Sequence, residues 1–395
     1  MRYLRFLKTP RIVNGPKSSE PEISFLITIT SDLGDSFLPY DVTLFAELIP
    51  ESGGPIIASK KIVWGPGMRT LPISLPFKKS KVNGAVIVRV GTQPKISRDD
   101  FNSLLRRETR GIVSAFSAPI DPIKGTKEAR KLVERRIGLG DSDTSEGKSE
   151  IRIWEETGES IARHLWDAGI AASSYLVEQV RNPTNDAFSN VFKRSKDNQS
   201  LRILELGTGC GMASMSLAQV LESTELILTD LSEAEEIVDH NLKGIKTASN
   251  TSASFLELDW EAELPSILTA KPIDIAMAAD CTYNPDSSPA LVNTISRISK
   301  QSPTLAVIIA MKFRHSSEEV FFDLMADAGF VKVAEHEIPL PGDEEPGEED
   351  VHVYLFRHDS SRQLGEITAT RQRRESNANA SEPLAKKRRK SKDRN

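Results

Sequence analysis

The chain has 395 residues, of which 38% are hydrophobic and 27% charged, with a formal net charge of −5, enough for two ordinary domains plus tails. No apolar run approaches the roughly 18–20 residues of a membrane span, and Arg5 and Lys8 interrupt the opening MRYLRFLKTPRIV, so neither a membrane helix nor a secretory leader is expected. Two cysteines, Cys210 and Cys281, and six histidines without metal-ligand spacing exclude a disulfide framework or a metal cluster in one chain; a reducing compartment follows.

From Ile23 to Gln93, short β-rich runs (ISFLITIT, DVTLFAELI, KKIVWG, TLPISLPF, GAVIVRVG) are separated by Gly, Pro, Asp and Ser clusters. Such spacing without helical runs predicts a small β-sandwich or open barrel over residues 1–120. Residues 121–150 turn polar, with IGLGDSDTSEGKSE reading as a linker, and KISRDDFNSLLRRETRG before them offers a helix. From Ile151 the pattern changes. ESIARHLWDAGIAASSYLVEQV has helical spacing, a polar insertion runs from Arg181 to Ser200, and strands and helices then alternate through LRILELG, ELILTD, ASFLELD, IDIAMAAD, TLAVIIAMK, FVKVAEHEI and VHVYLFRH. That alternation predicts an α/β fold, a mostly parallel, Rossmann-like sheet over residues 151–358 with helices on both faces. Its last two strands are expected to pair as an antiparallel hairpin at one edge.

The stretch ILELGTGCG passes from an apolar run into three glycines, Gly207, Gly209 and Gly211, before a helical pattern. The dinucleotide fingerprint would place its last glycine five positions after the first, where this chain has Met212. Here an acidic residue, Glu205, leads a tighter ladder, which suits a cofactor carrying an amine; S-adenosylmethionine fits. In an open parallel sheet the ligand lies beyond the carboxyl ends of the strands. Asp230, 19 residues after Gly211, ends the second strand and suits ribose hydroxyls, with a helix cap as the alternative. Asp259 and Trp260 follow the third strand, suited to an adenine amino group and a stacking face, with plain packing as the alternative for Trp260. Asp280, Cys281, Thr282 and Tyr283 follow the fourth. Cys281 reads as a small filler. Lys312, Arg314 and His315 end the fifth strand as a solvated rim or a contact for an acidic substrate.

Taken together, RHLWDAGIAASSYL, ELGTGCG, LTD, LDW and the D-x-x-Y run DCTY resemble the seven-strand class I methyltransferases, and within them the methyltransferase family 16 group of protein lysine methyltransferases. The likeness covers about half the chain and leaves its β-rich start and basic tail unexplained. It implies a fold of seven strands and S-adenosylmethionine as cofactor. Glu205, Gly207, Thr208 and Gly209 would take the methionine part, Asp230 the ribose, and Asp259 with Trp260 the adenine. Trp166 would line the pocket, a core aromatic being the alternative, and Asp280 and Tyr283 would face the acceptor. The implied activity is in-line methyl transfer to a deprotonated lysine of a non-histone protein, without a metal. A small amine or other nucleophile as acceptor is one alternative; a cofactor-binding interaction module with weak activity is another.

Residues 359–395 hold eleven Lys or Arg against five Asp or Glu, which leaves −11 for the rest once +6 is subtracted from −5. Their scarcity of large apolar residues predicts a disordered tail, and KKRRK at Lys386 to Lys390 reads as a nuclear import signal. The expected locations are therefore nucleus and cytoplasm. Any nucleic-acid contact through this tail would be non-specific and salt-sensitive. The partner expected is a protein substrate, met by a monomer, with no membrane.

Overall fold

The computed structural model describes residues 1–14, 20–104, 110–138, 150–156, 160–184, 186–193, 200–340 and 350–359. The basic tail from residue 360 onwards, with its import-like signal, lies outside the described residues, as does most of the IGLGDSDTSEGKSE segment.

The amino-terminal strands are β1 (Arg2–Asn14), β2 (Pro21–Thr30), β3 (Val42–Pro50), β4 (Ala58–Trp64), β5 (Leu71–Pro76), β6 (Val86–Gly91), β7 (Asp99–Asp100), β8 (Ile112–Val113), β9 (Ala115–Ser117), β10 (Leu132–Gly138) and β11 (Glu150–Glu156), with a short helix α1 (Phe101–Leu104). Among the described residues they form two sheets, ordered β5-β2-β1-β8 and β11-β10-β9-β6-β3-β4 with β7 beside β10. The facing residues Leu4, Phe6, Ile23, Phe25, Leu48, Val88 and Val90 share one buried core, the sandwich arrangement of alternating inward side chains.

Two details go beyond the sequence reading. Part of residues 121–150, read as a linker, forms β10, and β10 and β11 pair antiparallel from Leu132–Glu156 to Gly138–Glu150 at one edge of the sandwich sheet. The opening residues, placed in the β-rich portion but assigned no strand of their own, form the 13-residue β1, which pairs with both β2 and β8.

The second half contributes α2 (Asp167–Arg181), α3 (Ala187–Val191), β12 (Leu201–Leu206), α4 (Met212–Ala218), β13 (Thr224–Asp230), α5 (Glu235–Leu242), β14 (Ser252–Glu257), α6 (Ser266–Thr269), β15 (Ile275–Ala279), α7 (Ser288–Ser299), β16 (Ala306–Lys312), α8 (Val320–Asp327), β17 (Phe330–Ile338) and β18 (Val351–His358). The sheet order is β14-β13-β12-β15-β16-β18-β17. Five strands are parallel; β18 is inserted antiparallel between β16 and β17, so the closing hairpin is present. Alternate side chains of β12 enter opposite cores: Ile203 packs with α2 and α4 residues such as Leu176 and Met215, while Leu204 and Leu206 pack with α7 and α8 residues such as Leu291 and Phe321. The run ESIARHLWDAGIAASSYLVEQV is helical only from Asp167. Before it lies a 3-10 turn at Ile161–Arg163, held because Arg163 pairs with Glu156 and Leu165 N–H donates to Glu155 Oε2 at 2.9 Å. The insertion between Arg181 and Ser200 contains α3, whose Phe188 and Val191 are buried.

The two halves share a core. Met1, Tyr3, Ile151 and Ile153 of the sandwich lie in the same buried cluster as Ile170, Leu176, Ile203 and Met215. Asn241 of α5 pegs the seam: its Oδ1 accepts from Trp154 N–H at 2.8 Å, and its Nδ2 donates to the carbonyls of Trp154 and Cys210, both at 2.9 Å. Replacing it leaves buried backbone groups unpaired. Asn241→Ala is therefore expected to lower the unfolding free energy by about 1–3 kcal/mol, read from urea denaturation followed by the fluorescence of the adjacent Trp154; an unchanged midpoint would refute the peg.

Candidate active site

Sheet order reverses between β12 and β15, and the loops leaving these strands open a crevice at the carboxyl edge of the sheet. A cavity of about 400 Å³ occupies it, within the roughly 300–1,000 Å³ usual for small-molecule sites. All ten residues singled out from the sequence line it: Trp166, Glu205, Gly207, Thr208, Gly209, Asp230, Asp259, Trp260, Asp280 and Tyr283. Ile161, Leu231 and Glu233 line it too; none carries a sequence signal of its own, although Leu231 directly follows the acidic strand end.

The glycine loop is held from two sides. Glu205, at the end of β12, is buried, and its Oε2 accepts from Thr208 Oγ1 at 2.6 Å and from Ser214 N–H at 3.2 Å in the first turn of α4. Asp230 accepts Gly209 N–H on Oδ2 and Leu231 N–H on Oδ1, each at 2.8 Å. It therefore ties two loops together instead of capping the next helix, whose 3-10 lead-in has no side-chain cap. Gly207 is required mainly by packing: its φ is +66°, and a Cβ there would sit 2.5 Å from Cys281 Sγ. Cys281 in turn lies 3.3 Å from the Leu206 carbonyl, and burial pushes its thiol well up, so it fills space and offers no thiolate.

Asp259 is exposed, its Oδ1 accepting from Glu261 N–H at 2.9 Å, and Trp260 is half-buried with its carbonyl tied by Thr294 and Arg297. Trp166 caps α2 with extended backbone; its Nε1 donates to the Ile161 carbonyl at 3.2 Å. Tyr283 is 49% exposed at the cavity mouth.

Asp280 is the most constrained side chain. Its φ is +55°, a left-handed conformation uncommon for a residue with a Cβ. Oδ1 and Oδ2 accept from Arg314 Nη1 at 2.9 Å and Nη2 at 3.1 Å, and Oδ2 also accepts Ala168 N–H at 3.1 Å. The rim expected at the end of β16 is absent as such. Lys312 is buried with its Nζ 2.9 Å from Asp167 Oδ2, and Arg314, 14% exposed, is spoken for by Asp280 and Asp32. His315 alone faces solvent, accepting from Ser317 N–H as a cap. Asp167 and Asp32 escaped the sequence reading. The first stands beside Trp166 in LWDAG; the second has no local signal, because its partner is 282 positions away.

Burial drives the titrations. It would raise Asp167, but the Met1 ammonium, 2.8 Å away, and Lys312 hold that carboxyl down to about 2. It raises Asp230, only partly offset by the Gly209 and Leu231 amides. It also lifts Glu205 from 4.5 to about 7, against the opposing pull of Ser214 and Thr208.

Residues 145–328 match the family model described as lysine methyltransferase. This stretch of the chain is similar to the lysine methyltransferase family. The chain is 27% identical over 325 residues to a UPF0665 family protein of Schizosaccharomyces pombe, covering 81% of this chain and 91% of that one. That stretch is longer than the methyltransferase portion, so the likeness takes in part of the sandwich. The calmodulin-lysine N-methyltransferase of Arabidopsis thaliana is 28% identical over 39% of this chain and 54% of its own length, and the protein-lysine N-methyltransferase EFM6 of Saccharomyces cerevisiae is 24% identical over 47% and 79%. This chain thus spans about half of the Arabidopsis relative. The cofactor of the domain is S-adenosylmethionine, and the residues present fit it: a cavity of the right class, a glycine loop with no side chains at Gly207 and Gly209 to fill it, a buried carboxylate at the end of the first strand and a half-buried one at the end of the second.

The raised Glu205 carboxyl makes a stability prediction. The folded chain keeps a proton there that the unfolded chain releases between pH 4.5 and about 7, so this group's stabilising contribution is present below that window and is lost as pH rises through it. Glu205→Gln cannot ionise. In the ligand-free protein it is expected to raise the unfolding temperature by a few degrees at about pH 8 and far less at about pH 5; a lower temperature at the higher pH would sink the assignment.

Proposed function

We propose that the protein is a protein-lysine N-methyltransferase acting on a non-histone protein. The observation that carries this reading is the single crevice that gathers the glycine loop, the acidic strand ends and an aromatic mouth formed by Trp166 and Tyr283. Two relatives bear on the acceptor: the Arabidopsis protein named for calmodulin lysine and a Xenopus tropicalis protein named EEF1A lysine methyltransferase 3, 22% identical over 49% of this chain.

The cofactor, when bound, supplies a methyl group on a sulfonium whose leaving group is already good, so alignment provides much of the acceleration. In the proposed arrangement Glu205 and the backbone at Gly207, Thr208 and Gly209 hold its amino-acid end. Asp230 takes the ribose hydroxyls, and Asp259 with Trp260 the adenine. A lysine must arrive as the free amine, and the Trp166 and Tyr283 rings favour that form by excluding water from the ammonium. Asp280 cannot take up the amine's proton without breaking its bonds to Arg314 and the Ala168 amide. Its proposed role is that of a fixed anion orienting the amine, and proton release goes to solvent.

Calorimetry should find S-adenosylmethionine binding, with Asp230→Ala weakening it roughly ten- to a hundredfold. With methyl-labelled cofactor and a cell extract, the label should appear as Nε-methyl-lysine after acid hydrolysis of protein, and Tyr283→Ala should reduce it. Label confined to small molecules or nucleic acid would overturn the protein-lysine reading while leaving the cofactor in place.

A further inference from the structure

The second carboxylate on Arg314 comes from outside the methyltransferase sheet. Asp32 lies in the turn after β2, closed by Ser31 N–H to the Ser36 carbonyl at 2.9 Å and Gly34 N–H to the Ser31 carbonyl at 3.1 Å. Its own carbonyl accepts from Arg5 Nη2 at 2.9 Å, and its Oδ1 accepts Leu33 N–H at 2.9 Å. The sandwich thus fixes the carboxylate before it meets Arg314. Arg314 Nη2 then spans Asp32 Oδ2 at 2.7 Å and Asp280 Oδ2 at 3.1 Å, with the Asp32 and Asp280 side chains 2% and 3% exposed. Lys312 Nζ is 3.9 Å from Asp32 Oδ1. Two cations from the end of β16, joined by the Met1 ammonium on Asp167, therefore face three carboxylates, one from the sandwich, one from α2 and one from the loop after β15. The guanidinium also lies 5.8 Å from the Trp166 ring centroid, and both Trp166 and Asp280 line the cofactor cavity.

We propose that Asp32 is a positioning residue for methyl transfer, acting through Arg314 to fix the Asp280 carboxylate and the charge balance at the reactive end of the cavity. The β-sandwich is then part of the methyl-transfer apparatus. This deepens the reading of the crevice as an S-adenosylmethionine site and rests on it. Without Asp32 the buried cluster becomes one unit more positive, in a place where little water screens it. A sulfonium feels that change directly. The demethylated product, a neutral thioether of nearly the same shape, does not, so the ratio of the two affinities reports the charge at this end of the cavity.

The test is calorimetry of the full chain with S-adenosylmethionine and with S-adenosylhomocysteine. Asp32→Asn is expected to weaken the sulfonium relative to the thioether by roughly fivefold, and Asp32→Glu to restore the ratio. Trp64→Phe removes the bond from Trp64 Nε1 to the Leu38 carbonyl at 3.0 Å, two residues beyond that turn, and loosens the sandwich there without touching charge; it should change both affinities together. Arg314→Gln should shift the ratio the opposite way, and it decides the matter if Asp32→Asn does not fold. A wild-type chain that binds neither ligand overturns the cofactor reading itself. A wild-type chain that binds both, with the ratio unmoved by Asp32→Asn and Arg314→Gln, overturns the positioning role and leaves the cofactor reading standing.

Discussion

A guanidinium buried between two carboxylates has lost most of its water, and only close, well-directed partners make that tolerable. Arg314 meets the condition by dividing its two terminal nitrogens between Asp280 and Asp32. Burial alone would make it shed its proton more easily, but the two carboxylates outweigh that and keep it firmly charged. Such a pair is weak evidence for net stability. What it does fix is geometry. With Lys312 on Asp167, and Tyr3 donating to Asp167 at 2.9 Å, the contacts at the end of β16 set the sandwich against the crevice in one orientation.

The shared core makes that orientation rigid. Ile151 and Ile153 of the last sandwich strand pack into the cluster that also holds α2 and one face of the seven-stranded sheet, while Asn241 fastens the Trp154 backbone to the Cys210 carbonyl inside the glycine loop. The glycine loop thus depends on the sandwich as well as on its own sheet. Strain is spent here and compensated by these contacts: Asp280 holds a left-handed backbone, and Glu205 sits buried at the foot of the cavity.

How much of this was legible follows from how far apart the partners are in the chain. Strand-helix alternation, the bare loop and the acidic strand ends are local patterns of a few residues, and the structure brings all ten residues chosen from them to one crevice. The reason for Gly207 was only partly visible, because the sulfur that forbids a side chain there belongs to Cys281 in another loop. β1 was missed because its apolar residues are interrupted by charges and Pro10; its long pairing depends on β2 and on β8, a hundred residues on. The helical spacing before Trp166 was genuine, yet the residues are pinned as a 3-10 turn by β11. Asp32 and Arg314 illustrate the limit, since nothing in either local sequence names the other.

The place of β18 has a consequence for how the chain reaches this structure. The last strand among the described residues lies between β16 and β17, giving β16 its outer partner and β17 its inner one. Until residues Val351–His358 arrive, β16 has an open edge, and Arg314 and Lys312 hang from a strand paired on one side only. Insertion of a late strand between two earlier ones closes a loop before contacts reward it. The outer edge of the strand that leads to Arg314 is therefore completed only by the last described strand of the sheet, far along the chain from the sandwich turn that carries Asp32.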